Sequence, residues 1–171
     1  NTLINNNSKL KFNYFKNVIS AEKSIFTNYE NIKEKSNIKL KTIISGEINK
    51  YKLTDLSNFL KSDAYIVYGS SYITGDLVNF LIKKKALNIH MGVSPYYRGA
   101  DCNFWALYDD NPHLVGATIH LLSKGLDSGP VLYHALSNLK TKPFEYTMST
   151  VKSAFYSLAE RINNKNIFNI E

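Results

Sequence analysis

Ala86-Leu87-Asn88-Ile89-His90-Met91-Gly92-Val93-Ser94-Pro95-Tyr96-Tyr97-Arg98-Gly99 reads as a buried strand that runs into a polar, turn-rich loop. Side chains alternate faces along a strand, so Asn88 and His90 point the same way. An amide donor and an imidazole, adjacent at a strand end, can both reach one oxygen atom. A reaction at a carbonyl carbon needs such a pair. Lysine occurs nineteen times in the chain and arginine only at 98 and 161. Arginine presents a planar, bidentate fork that lysine cannot copy, which makes Arg98 a candidate substrate-binding residue.

Upstream of this stretch, helix and apolar strand alternate. Residues 1–16 read as a polar, Asn-rich segment. Residues 17–36 carry a helical stripe of Val18, Ile19, Ala21, Ile25, Phe26, Tyr29 and Ile32. Lys41 to Ser45 reads as a short strand ended by Gly46. Thr54 or Asp55 is placed to cap a helix reaching about Lys61. Ala64 to Tyr68 is a continuous apolar run, closed by Gly69-Ser70-Ser71, as suits a strand covered on both faces. Residues 75–84 form the next helix, with three lysines at its end, where positive charge is favourable.

Downstream, residues 101–109 suggest a helix with Phe104, Trp105 and Leu107. Val115 to Leu122 and Val131 to Leu136 read as strands joined by Lys124-Gly125-Leu126-Asp127-Ser128-Gly129-Pro130, hence antiparallel neighbours. Residues 144–162 form the clearest amphipathic helix, with Thr141 as cap and Pro143 in its first turn. The expectation is an α/β fold with a mostly parallel sheet and helices on both faces. Residues 17–171 would be one domain behind the segment 1–16, a length at which roughly 70% of the unfolded surface can be buried.

The formal charge is +7, and residues 1–52 hold ten lysines against four acidic residues. The excess is therefore N-terminal and away from the loop. It lacks the aromatic interleaving that stacks bases, so nucleic acid is not an expected partner. No apolar run approaches the ~20 residues that span a bilayer, and no membrane partner is expected. The lone Cys102 excludes an intrachain disulfide, and a reducing, cytoplasmic setting is the simpler expectation.

Ligands of open parallel sheets bind beyond the carboxyl ends of the strands. Gly69-Ser70-Ser71-Tyr72 and Met91 to Gly99 should meet there, with Ser71 and Tyr72 as further candidate substrate contacts. A third loop would bring Asp127, completing amide, imidazole and carboxylate. Each has a structural alternative: Asn88 can satisfy a turn, His90 can be a hydrogen-bonded core residue, and Asp127 can make an Asx-turn.

The motifs N-I-H (88–90), S-P-Y-Y-R-G (94–99) and G-A-T-I-H-x-L-x-x-G-L-D-S-G-P (116–130), in that order, resemble the 10-formyltetrahydrofolate-dependent formyltransferase family. That family includes methionyl-tRNA, phosphoribosylglycinamide and amino-sugar formyltransferases. The resemblance is dense from Asp63 to Tyr133. It implies a Rossmann-like fold and a catalytic Asn88, His90 and Asp127. It places folate at Tyr68, Gly69, Gly92, Val93, Ser94, Pro95, Gly125 and Leu126. It further implies 10-formyltetrahydrofolate as donor, no metal, a small-molecule amine as acceptor, and room for a homodimer.

Two departures accompany it. The well-characterised enzymes have H-P-S-L-L-P where this chain has His90-Met91-Gly92-Val93-Ser94-Pro95. The family's opening strand, glycine turn and helix are not found, so the chain reads as the later part of such a domain, N-terminally incomplete. By elimination, an amino sugar or other small amine is the expected acceptor, ahead of methionyl-tRNA or phosphoribosylglycinamide. The competing readings are a formyltetrahydrofolate hydrolase, a non-catalytic folate-binding homologue, a metal hydrolase built on His90, His120, His134 and Asp127, and a Cys102 nucleophile.

Overall fold

The computed structural model describes residues 2–27 and 35–167. Four strands, β1 (Ile66–Tyr68), β2 (Leu87–His90), β3 (Ala117–Leu121) and β4 (Val131–Ala135), form one sheet in the order β1-β2-β3-β4. β1 and β2 are parallel; β2–β3 and β3–β4 are antiparallel. The α/β class holds, and the sheet is mixed, with one of its three pairings parallel. Among the described residues four α-helices accompany it: α1 (Thr2–Ile25), α2 (Gly75–Lys83), α3 (Cys102–Tyr108) and α4 (Pro143–Asn163).

The alternation in β2 decides the layering. Leu87 and Ile89 face a core shared with Ala117 and Ile119 of β3, Ala135 of β4, and Ala154 and Leu158 of α4. The small Ala154 is fully buried, which lets α4 approach the sheet closely. On the opposite face, Ala86 and Val67 pack with Leu77 and Leu81 of α2. Helices therefore cover both faces, and Asn88 and His90 share the α2 side. Ile119 has no exposed surface. Ile119→Ala is expected to cost about 2–5 kcal/mol through lost burial and a residual cavity, read as a lower midpoint in urea unfolding.

α2 ends where Lys85 takes a left-handed φ of 51° and the chain turns into β2. Its other end is positioned from a distance: the Asn49 side chain donates to the Tyr72 carbonyl and accepts from the Thr74 N–H, each at 2.8 Å. α1 lies on α4, with Tyr14 and Phe144 edge-to-face at 5.5 Å. Lys152 Nζ donates to the Ile25 carbonyl at 3.0 Å, placing a cation at the negative end of α1.

Several expected elements differ. One helix runs through the break expected at residue 16, and it ends at Ile25 rather than 36. Tyr29 and Ile32 of the expected stripe lie outside the described residues. Lys41–Ser45 is not a strand, and Ile44 is exposed. β-propensity needs a neighbouring strand to act on, and none among the described residues pairs with it. Residues 54–61 form successive turns instead of a helix, with Asp55 accepting from the Lys52 N–H at 2.9 Å. Lys142, not Thr141, precedes α4, without a side-chain cap, and Pro143 occupies its first turn as expected.

Candidate active site

β2 delivers Asn88 and His90 to one face, and β3 sets His120 opposite Asn88 and Thr118 opposite His90. The turn after β3 returns Asp127 to the same place. Asp127 sits at a left-handed φ of 42°, a conformation that Asp tolerates better than most residues. The turn closes tightly because Gly129 has no side chain: a Cβ there would lie 1.7 Å from the Leu121 carbonyl oxygen.

The Asp127 carboxylate is the hub. Its Oδ2 lies 3.2 Å from His90 Nδ1 and accepts from the Gly99 N–H at 3.1 Å. Its Oδ1 accepts from Asn88 Nδ2 at 3.1 Å and lies 3.7 Å from His120 Nε2. His90 Nε2 lies 2.9 Å from the Tyr97 carbonyl oxygen. Both His90 ring nitrogens thus face oxygen acceptors, an arrangement satisfied by the doubly protonated ring.

Burial works against the Asp127 charge. The His90 ring beside Oδ2 and the Gly99 N–H outweigh it, and the carboxyl is held below the ordinary carboxylate range. A carboxylate depressed in the folded state adds stability above its unfolded pKa. That stability is lost as pH falls through the lower folded value. Wild type is therefore expected to melt above Asp127→Asn at about pH 6, with the gap closing below about pH 4. Thermal melts across that range check this, and a constant gap would remove the assigned charge partners.

The loop after β2 is tied to the sheet. The buried Thr118 hydroxyl donates to the Gly92 carbonyl at 2.5 Å and accepts from the Ser94 N–H at 2.9 Å. His134 Nε2 donates to the Ser94 carbonyl at 2.9 Å. A Cβ at Gly92 would stand 2.6 Å from Cys102 Cβ and 2.7 Å from His90 Nε2, so only glycine lets the loop fold back against the imidazole.

A cavity of about 1110 Å³ opens over this face. Asn88, His90 and Asp127 line it, as do Tyr68, Gly69, Ser71, Tyr72, Gly125 and Leu126. The first and third loops meet where the Tyr72 hydroxyl donates to the Lys124 carbonyl. Four expected folate contacts do not line it. Gly92, Val93 and Ser94 are buried, drawn in by Thr118 and Cys102, and Pro95 is exposed. Arg98 is also exposed and does not line the cavity, although the adjacent Gly99 does.

Sequence reasoning missed several participants. Tyr14 and Val18 of α1 and Phe144 of α4 form part of the wall. Tyr108 also lines the cavity, whereas the Tyr97 hydroxyl pairs with Asp109 and Asn111. His120 stands beside Asn88 rather than serving only as packing. The alternation of Thr118 and His120 with Ala117, Ile119 and Leu121 carried that signal, since it assigns two polar side chains to one face. The Cys102 thiol is pushed up to about 11 by burial and by the charges of Asp127 and Asp101, which keeps it protonated and speaks against a nucleophile. Among the described residues, no group of three His, Cys, Asp or Glu is arranged to hold a metal ion, and no helix is long and apolar enough to cross a membrane.

Residues 18–163 match the family model described as formyl transferase. The methionyl-tRNA formyltransferase of Thermotoga neapolitana is 33% identical over 98 residues, covering 57% of this chain and 30% of that protein. The phosphoribosylglycinamide formyltransferase of Streptococcus pneumoniae TIGR4 superposes with a TM-score of 0.53 at 24% identity, over 68% of this chain and 64% of that one. A sugar N-formyltransferase from Shewanella sp. FDAARGOS_354 gives 0.52 at 20% identity, over 66% and 46%. These two likenesses show a shared Rossmann-like α/β fold. The chain spans less than a third of the length of the curated relative. With the family model covering most of its residues, this chain belongs to the formyl transferase family.

Proposed function

We propose that this chain transfers a formyl group from 10-formyltetrahydrofolate to the primary amine of a small acceptor, an amino sugar being the favoured class. The observation that carries the reading is convergence. Amide, imidazole and carboxylate, drawn from β2 and the turn after β3, lie within 3.2 Å of one another through Asp127, at the wall of one cavity. Family membership supports the reaction class. The cavity supports a donor and an acceptor held together, since single-ligand pockets run to about 1,000 Å³. Its wall offers the rings of Tyr68 and Tyr72 and the apolar Leu126 alongside the backbone of Gly69 and Gly125, which fits a folate.

The donor, when bound, supplies a formyl carbon held on nitrogen, and the site must make that carbon easier to attack. The acceptor nitrogen forms a bond to that carbon, the bond to the donor nitrogen breaks, and one proton passes from the first nitrogen to the second. Negative charge develops meanwhile on the formyl oxygen. An Asn88 N–H is placed to donate to it, and the His90 ring, paired with a carboxylate, supplies positive charge beside it. A carboxyl held below the ordinary range is a weak base. Asp127 therefore acts chiefly as the anion that pairs with His90 and orients its ring, and relays the proton through water.

The test is a panel of amines, amino sugars included, incubated with 10-formyltetrahydrofolate and read by mass. A formylated amine is expected. Formate released with no amine present would make the protein a hydrolase, and folate binding with neither product would make it a binding protein.

A further inference from the structure

Asn88 has two amide hydrogens, and both are already engaged. β3 places His120 across from Asn88, with 2% of its side chain exposed. His120 Nδ1 lies 2.8 Å from the Leu121 carbonyl oxygen, which can only accept, so Nδ1 carries a hydrogen. His120 Nε2 lies 3.0 Å from Asn88 Nδ2, which can only donate, so Nε2 presents its lone pair. The two contacts select one tautomer. Turning the amide over would instead set the Asn88 oxygen against the Asp127 carboxylate at 3.1 Å, with no hydrogen between them. The amide therefore gives one hydrogen to His120 and the other to Asp127.

The two hydrogens are not equivalent. His120 borders the same cavity with only 2% of its side chain exposed, against 12% for Asp127, and among the described residues Asn88 is the donor that Nε2 meets. Asp127 lines the cavity and keeps the His90 and Gly99 N–H groups if Asn88 leaves it. We propose that His120 is a positioning residue: it holds one Asn88 hydrogen throughout and so aims the second at the cavity, where the formyl oxygen takes it over from Asp127. The last step rests on the formyl-transfer reading; the tautomer and the aimed amide do not.

Two variants and one spectrum test this. His120→Leu removes the acceptor and is expected to lower kcat about tenfold with KM nearly unchanged, the effect of one misdirected hydrogen bond. His120→Gln returns an acceptor oxygen close to the place of Nε2 and is expected to recover most of the loss. Nitrogen NMR of the wild-type protein is expected to show His120 protonated at Nδ1 and bare at Nε2. A protonated Nε2, an unchanged kcat in His120→Leu, a change confined to KM, or a His120→Gln no better than His120→Leu would overturn the proposal. If His120→Leu does not fold, His120→Gln and the spectrum decide. If wild type transfers no formyl group, the enzymatic reading falls, while the spectrum still decides whether His120 orients Asn88.

Discussion

Asp127→Ala is expected to lower formyl transfer by about 10²–10⁴-fold, the range for losing a positioned acid–base group. The carboxylate accepts from Asn88 and Gly99 and pairs with His90, so its removal leaves several groups without their acceptor. His90 then has no anion beside Nδ1, while its Nε2 still faces the Tyr97 carbonyl. The neutral ring with its hydrogen on Nε2 becomes the better-satisfied form, and it brings no positive charge to the formyl oxygen. The loss should fall on kcat rather than on donor affinity, since the wall formed by Tyr68, Tyr72 and Leu126 is untouched. Steady-state kinetics with a titration of donor binding checks this. Wild-type turnover in Asp127→Ala would sink the assigned role, and weakened binding at unchanged kcat would reassign Asp127 to the ligand site.

The legible part of this fold followed from strong local patterns. Two-residue alternation in 87–90 put Asn88 and His90 on one face, and 3–4 spacing gave α4 almost to the residue. Asp127 was reachable because a glycine-flanked turn between two antiparallel strands must return the chain to the strand ends. The failures share a cause: each depends on a partner distant in sequence. α1 has a polar start and a weak stripe, and its value comes from packing on α4 and from placing Tyr14 and Val18 at the cavity. Gly92 to Ser94 lie off the cavity because Thr118, His134 and Cys102 hold them inward. Local alternation gives the face that His120 occupies, but its place beside Asn88 comes from the β2–β3 register. The direction of the β2–β3 pairing was equally invisible, because a buried apolar run reads alike in either orientation.

Asn88→Ala is expected to lower kcat by about 10²–10³-fold with the fold retained, the usual cost of losing one oxyanion donor. The loss should appear in kcat and kcat/KM alike, because charge builds on the formyl oxygen only as the amine attacks. Asn88→Asp separates the lost hydrogen from the lost shape. It is nearly isosteric, yet it donates nothing when ionised and would set a second carboxylate against Asp127, across a gap that is now a 3.1 Å hydrogen bond. Two carboxylates that close cannot both ionise freely, so one proton is retained at a pH where Asp127 is now fully charged. Asn88→Asp should therefore be at least as slow as Asn88→Ala at neutral pH. It should also regain some rate as the pH falls and the shared proton restores a donor, whereas Asn88→Ala should show no such recovery. Parallel pH profiles of kcat for the two variants make the comparison. If both track wild type in shape and magnitude, the amide plays no part in stabilising the oxygen, and His90 must carry that charge without it.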